Sequence, residues 1–179
     1  DMTEVAVTLP PEGANSQLTV TKNSDTPAVV VGGLDEEAAA LKTEGGGTTT
    51  VTVSMEVEGK KEAQVGKLVV EAIKNEVRTQ PSAGEPVVEY LDITVTKQVN
   101  SGSKEEVTQT TKVIEIVVPF SFSGRDNIVV VRYHGTTAQK LTLAKDGEKK
   151  DSTYRTDKSN GYLYIYANQF STYAVGYTA

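Results

Sequence analysis

Apolar and polar residues alternate along much of this chain. The clearest stretch is 48–57, where Val51, Val53, Met55 and Val57 fall on one face and Thr50, Thr52, Ser54 and Glu56 on the other. A period of two held over that length predicts a strand with one wet face. Upstream, Val5, Val7 and Leu9 alternate until Pro10-Pro11 stops the run. Residues 18–21 and 28–31 are two further strand candidates, separated by the turn-rich Asn23-Ser24-Asp25. Residues 34–42 then predict a short helix. Asp35 caps it, and Glu36 and Glu37 sit at the positive end of its dipole. Gly45-Gly46-Gly47 ends it.

The period changes over 62–79. Val65, Leu68, Val69, Ala72, Ile73 and Val77 recur at steps of three and four, with Lys67, Glu71, Lys74, Asn75 and Arg78 opposite. That pattern predicts an amphipathic helix with its stripe, Leu68 included, buried against a sheet. Pro81 bars its continuation. The stretch from Pro81 to Pro86 reads as a linker. It divides an N-terminal β-rich lobe, 1–85, from a C-terminal lobe, 86–179. The helix stripe needs the second lobe as part of its cover, so the two are expected to pack on each other, either as two lobes or as one continuous domain.

Beyond the linker the chain reads as strands. Residues 87–99 place Val87, Leu91, Ile93, Val95 and Val99 on one face. After a turn at Asn100-Ser101-Gly102-Ser103, residues 107–118 return as one strand with Ile114, Ile116 and Val118 inward. The run Ile128-Val129-Val130-Val131 predicts a central strand covered on both faces. Residues 139–143 follow, then an Asp146-Gly147 turn. Asn160-Gly161 is a strong hairpin signal, followed by strands at 162–167 and 170–177. The fold class is therefore mainly β. An antiparallel β-sandwich of Ig-like size fills the C-terminal lobe, and the N-terminal β-rich part carries one amphipathic α-helix.

Composition agrees. Threonine and valine are abundant, and tyrosine outnumbers phenylalanine 8 to 3, a bias that suits a pleated surface. Net charge is −6 and the lysines are scattered along the sequence, so no nucleic-acid partner is expected. There is no cysteine, which excludes disulfides, thiolate metal sites and thiol catalysis. No run approaches the roughly 20 apolar residues of a membrane helix, so no membrane insertion is expected of this segment.

Little in the sequence points to chemistry. His134 is the only histidine, too few for a His-rich metal site. No Asp-x-Asp-x-Asp-Gly loop occurs, and the glycine clusters lack the Gly-Lys-Ser/Thr ending of a phosphate loop. No catalytic residue, cofactor or metal is expected. Tyr162, Tyr164 and Tyr166 share one face of one strand, and Tyr154, Tyr173 and Tyr177 are candidates to join them. Such a row can stack on sugar rings or anchor a protein, or it can stabilise a sheet face through cross-strand pairs. Lys97, Asn127 and Asn168 lie on or beside strands, where a Lys–Asn isopeptide bond is conceivable but no pair is assignable.

Four segments in order carry a resemblance: Tyr90-Leu91-Asp92-Ile93-Thr94-Val95-Thr96-Lys97, Ile114-Glu115-Ile116-Val117-Val118-Pro119, Val131-Arg132-Tyr133-His134-Gly135 and Phe170-Ser171-Thr172-Tyr173-Ala174-Val175. Together they resemble a β-rich module of Gram-positive, Clostridia-type cell-surface proteins. That module is often found with Ig-like repeats and S-layer-homology domains, and it ends in an FSTYA-type strand. The resemblance implies an extracellular, cell-envelope-attached protein and a strand-end hydrogen bond for His134; it does not imply an activity. The expected role is a non-catalytic spacer or adhesion module whose partner is a host or cell-wall glycan or another surface protein. The alternative is a carbohydrate-binding module using the tyrosine face.

Gln169-Phe170-Ser171 also resembles the His-Phe-Ser motif of autoproteolytic sandwich domains. Here Gln169 replaces the histidine, and an amide cannot take the serine proton. Intact-mass spectrometry of the purified chain is expected to show no fragment beginning at Ser171. Such a fragment would overturn the argument from Gln169.

Overall fold

A computed structural model describes residues 5–7, 15–21, 29–32, 36, 37, 40, 51–78, 86–99, 102–125 and 127–178. The strands are β1 (Val5–Val7), β2 (Asn15–Thr21), β3 (Val29–Gly32), β4 (Val51–Lys60), β5 (Pro86–Val99), β6 (Glu105–Val107), β7 (Gln109–Pro119), β8 (Val129–His134), β9 (Thr137–Lys140), β10 (Thr142–Leu143), β11 (Thr153–Asp157), β12 (Tyr162–Gln169) and β13 (Thr172–Thr178). Helix α1 spans Lys67–Val77 and follows a 3-10 turn at Glu62–Gln64. Glu36, Glu37 and Ala40 are helical; the rest of the helix expected at 34–42 lies outside the described residues. So does 81–85 of the expected linker, while Pro86 opens β5.

Two sheets result. One runs β1-β3-β7-β12-β11-β10; the other runs β2-β4-β5-β13-β8-β9, with β6 also on β5. Strands from both sides of residue 85 share each sheet. Through β4 the N-terminal strands alternate between the sheets. Chain that leaves a sheet and returns in the same direction pairs in parallel, and β1 with β3 and β2 with β4 are parallel. Most later pairs are antiparallel; β10 with β11 is the parallel exception.

The expected single strand over 107–118 is two strands. Residues 105–107 pair with β5 in one sheet, and from Gln109 the chain pairs with β12 in the other. Leu141 marks a second crossing, between β9 and β10. Periodicity misses such crossings because both strands keep an inward face.

The sheets close over one core. Val53, Met55, Val57, Leu91, Ile93, Val95, Val130, Tyr173 and Val175 from one sheet meet Ile114, Ile116, Val118, Leu163, Ile165 and Ala167 from the other. Val87, expected on that face, is exposed at the start of β5. The outer face of the β5-β13-β8 sheet is apolar too. Tyr90, Val129, Val131 and Ala174 form a second core under Val70, Ile73 and Val77 of α1. The run 128–131 is therefore covered on both faces, as its composition requires.

Helix α1 keeps most of its expected stripe, since Val65, Val69, Ile73 and Val77 all pack in or on the core beneath it, and departs from it at Leu68. Gly66 has extended backbone and stands as the N-cap, so the regular helix starts at Lys67, not Glu62. Val70, Ile73 and Val77 face the sheet, whereas Leu68 is 83% exposed. Leu68 and Val70 are two residues apart, about 200° around a helix. Both lie at helical spacing from Ile73 or its neighbours, and the sheet takes in Val70 while Leu68 at the stripe's edge stays outside. Gly176 on β13 allows the close approach: a Cβ there would lie 2.6 Å from a Val77 methyl.

Two predictions follow from this packing. Ile73→Ala is expected to cost about 2–5 kcal/mol, and Leu68→Ala within about 0.5 kcal/mol of zero, both by denaturant titration. Gly176→Ala is expected to cost about 1–3 kcal/mol by overpacking. Adding Val77→Ala should recover part of that loss; if the double variant is as unstable as the sum of the two singles, the helix does not dock at Gly176.

Candidate functional site

The most heavily bonded polar side chain among the described residues starts from Arg132. It occupies an inward position on β8, two residues after Val130, and its side chain is 4% exposed. A guanidinium there must be neutralised and hydrogen-bonded. Nη1 donates to Asp151 Oδ1 at 2.8 Å and to the Tyr173 hydroxyl at 3.4 Å. Nη2 donates to Ser152 Oγ at 2.7 Å and Gln139 Oε1 at 2.9 Å. Asp151 also accepts from the Asn168 amide at 2.8 Å and from Ser152 Oγ at 2.9 Å. The Tyr173 hydroxyl donates to the Gln169 carbonyl. These bonds tie β8, β9, β12, β13 and the β10–β11 loop together at one corner.

Electrostatics follow geometry. Burial alone would raise the Asp151 pKa. The Asn168 amide, Arg132 and Ser152 outweigh it and hold the carboxyl below its ordinary value. Burial raises the Tyr173 phenol. Ser152 adopts φ +70°, in the left-handed region, which a side chain enters only when its surroundings require it. Its Oγ is held by Arg132 and Asp151, its amide donates to the Tyr166 carbonyl at 3.0 Å, and its carbonyl accepts from Thr142 at 3.0 Å. Against this corner lies a cleft of about 560 Å³ bordered by the β9, β10 and β11 ends and the loop between the last two.

The tyrosines do not form one open row. Tyr162, Tyr164 and Tyr166 point outward from β12, opposite the buried Leu163 and Ile165. Tyr162 is 41% exposed, Tyr164 is half-buried and Tyr166 is 1% exposed. Arg155 pairs directly with Tyr164 across the β11–β12 hairpin, and its guanidinium carbon lies 3.7 Å from the Tyr164 ring centroid. Its Nε donates to the Tyr166 hydroxyl at 3.4 Å. Burial, ahead of the neighbouring Glu115, raises the Tyr166 phenol. Tyr154 and Tyr177 pack on the main core and Tyr173 lies within it, so those three do not extend the row.

His134 ends β8. Its Nδ1 is buried without a hydrogen-bond partner among the described residues, so the expected strand-end bond is not made through that atom. The Tyr90 hydroxyl is likewise buried and unpartnered there, beneath α1. Burial, then the negative charges of Glu62 and Glu71, push its pKa up to about 12, so it stays neutral. Asn127 is exposed and Lys97 half-buried, in register with Val53 and Glu105. Among the described residues no group of three His, Cys, Asp or Glu side chains could hold a metal ion.

Sequence reasoning passed over Arg132, Asp151 and Ser152. A charged residue directly after Val129-Val130-Val131, on the inward phase of a buried strand, was the available signal for the first. Nothing local marks the other two, which reach Arg132 only through the fold. Glu37 is similar. It is fully buried, and its carboxylate accepts from the Thr111 amide at 2.9 Å and the Lys112 amide at 2.5 Å.

Asp151→Ala would leave the guanidinium buried without its counter-charge and is expected to cost about 3–5 kcal/mol. The Asp151 pKa is lower folded than unfolded, so ionisation favours the fold. That contribution is complete above the ordinary carboxyl pKa, roughly 4, and is lost as pH falls through the lower folded value. Acid titration of wild type should show this loss, and Asp151→Asn should lack it. On β12, Ile165→Ala is expected to destabilise more than Tyr164→Ala, with Tyr166→Ala costing about 3–5 kcal/mol like other buried aromatics.

No family model, no curated protein and no solved structure matches this chain.

Proposed function

We propose that this chain is a non-catalytic structural or interaction module of a bacterial cell-surface protein, extracellular and attached to the cell envelope, where it spaces or presents its neighbours or adheres to a partner. One observation carries the reading: the motifs that suggest such a module are spent on architecture. Leu91, Ile93 and Val95, then Ile114, Ile116 and Val118, then Phe170, Tyr173 and Val175 all belong to the main core. Tyr90 and Ala174 belong to the core under α1. Arg132 bonds the corner together. A pattern that encodes a scaffold rather than a site suits a module whose product is its shape. No helix is long and apolar enough to cross a membrane among the described residues.

The polar groups at the corner support the same reading. Arg132, Asp151 and Ser152 each satisfy one another, and among the described residues the Ser152 hydroxyl bonds to no base other than the carboxylate already held by Arg132. A carbohydrate-binding module using Tyr162, Tyr164 and Tyr166 is the second reading. What favours it is the exposed Tyr162 ring; Arg155 already stacks on Tyr164.

An antibody against the purified chain is expected to label intact cells of the source organism. Labelling only after permeabilisation would overturn the surface setting. Turnover of any substrate in a panel of glycosidase, esterase and peptidase substrates would overturn the non-catalytic reading.

A further inference from the structure

The cleft beside Arg132 has the chemistry of an anion site. It collects Lys140, Lys145 and Lys150, all exposed, in a chain whose net charge is −6. None of the three makes an ion pair among the described residues, whereas Lys149 reaches Glu115 at 3.7 Å. The two carboxylates in the lining are already engaged. Asp151 is held by Arg132, Ser152 and the Asn168 amide, and Glu148 accepts from the Lys145 amide across the Lys145–Glu148 turn. Three ammonium groups, none in an ion pair among the described residues, therefore border one cavity in which Arg132 already neutralises Asp151 and Glu148 is the one carboxylate left to oppose them, against the sign of the whole molecule.

The floor beneath them is pre-organised. Ser152 is kept in its left-handed conformation by the buried Arg132–Asp151 pair, and its backbone fixes Thr142 and Tyr166. A strained residue at the base of a cleft, retained by a buried network, is a feature associated with ligand sites.

We propose that this cleft binds an acidic polysaccharide, with its carboxylate or sulphate groups on Lys140, Lys145 and Lys150. Several features favour a glycan over an acidic peptide. Protein partners anchor through aromatic or apolar side chains in pockets, and the only large apolar residue in this lining is Leu143, which is 64% exposed. A peptide adding as a strand needs a long free edge. Here β10 has two residues, and the Thr142 and Ala144 amides already donate to Ser152 and Tyr154. The Thr142 hydroxyl and the Gln139 amide group supply the hydrogen bonds that sugar hydroxyls use. No tyrosine lines the cleft, and the proposal does not depend on a cell-surface setting.

The test is binding of the purified chain to immobilised dextran sulphate, polygalacturonate, neutral dextran and poly-glutamate. Both acidic polysaccharides are expected to bind, more weakly as salt is raised, and neutral dextran is not. The triple variant Lys140→Ala, Lys145→Ala, Lys150→Ala should lose about tenfold or more in affinity. A control that removes the same charge elsewhere, Lys104→Ala, Lys112→Ala, Lys158→Ala, should bind like wild type. All six side chains are exposed, so both variants should fold, and thermal melting checks this. Absence of binding, equal binding of neutral dextran, or an equal loss in the control would each overturn the site. Poly-glutamate binding at least as tightly, and lost in the cleft variant, would replace the glycan with an acidic peptide.

Discussion

A sheet that is apolar on both faces cannot stand in water on either. The β5-β13-β8 sheet meets this constraint twice, and much of the architecture follows from it. Its inner face is covered by the opposing sheet through Ile116, Leu163 and Ile165. Its outer face, with Tyr90, Val129, Val131 and Ala174, is covered by α1. The helix can come close enough only because Gly176 has no side chain where Val77 sits. An ordinary two-layer sandwich leaves its outer faces to polar residues; here one outer face carries a third layer.

The same packing fixes where charge can go. Arg132 is on the inward phase of β8, so the fold must supply partners from three other segments to offset its desolvation. Those partners shape the corner and hold Ser152 in its unusual backbone conformation. Glu37 shows the same economy at the other sheet: its carboxylate satisfies two β7 amides at Thr111 and Lys112. In both places a buried polar side chain serves the backbone or its neighbours. Lys140, Lys145 and Lys150 at the rim of the cleft, by contrast, make no ion pair among the described residues.

Period and turn chemistry along the chain determined the class of fold. The two-residue alternation of β4, the double burial of Val129-Val130-Val131 and the Asn160-Gly161 hairpin, where Gly161 takes φ +76°, were legible because each depends on a few consecutive residues. The inward set Leu163 and Ile165 was legible for the same reason, since side chains on a strand must alternate. What tertiary structure alone decided is everything that depends on a neighbour distant in sequence. Helical period placed Val65, Val69, Ile73 and Val77 on the packed side, but whether Leu68 or Val70 completed that side was decided by the sheet. Alternation placed Tyr162, Tyr164 and Tyr166 on the outer face, but burial of Tyr166 and the covering of Tyr164 come from Arg155 and the strands beside them. The crossings at Thr108 and Leu141 leave no local trace, because a strand keeps its inward face when it changes sheets. Asp151 and Ser152 became partners of Arg132 only when the β10–β11 loop closed on β8, since a hydrogen bond records distance in space and a sequence records distance along the chain.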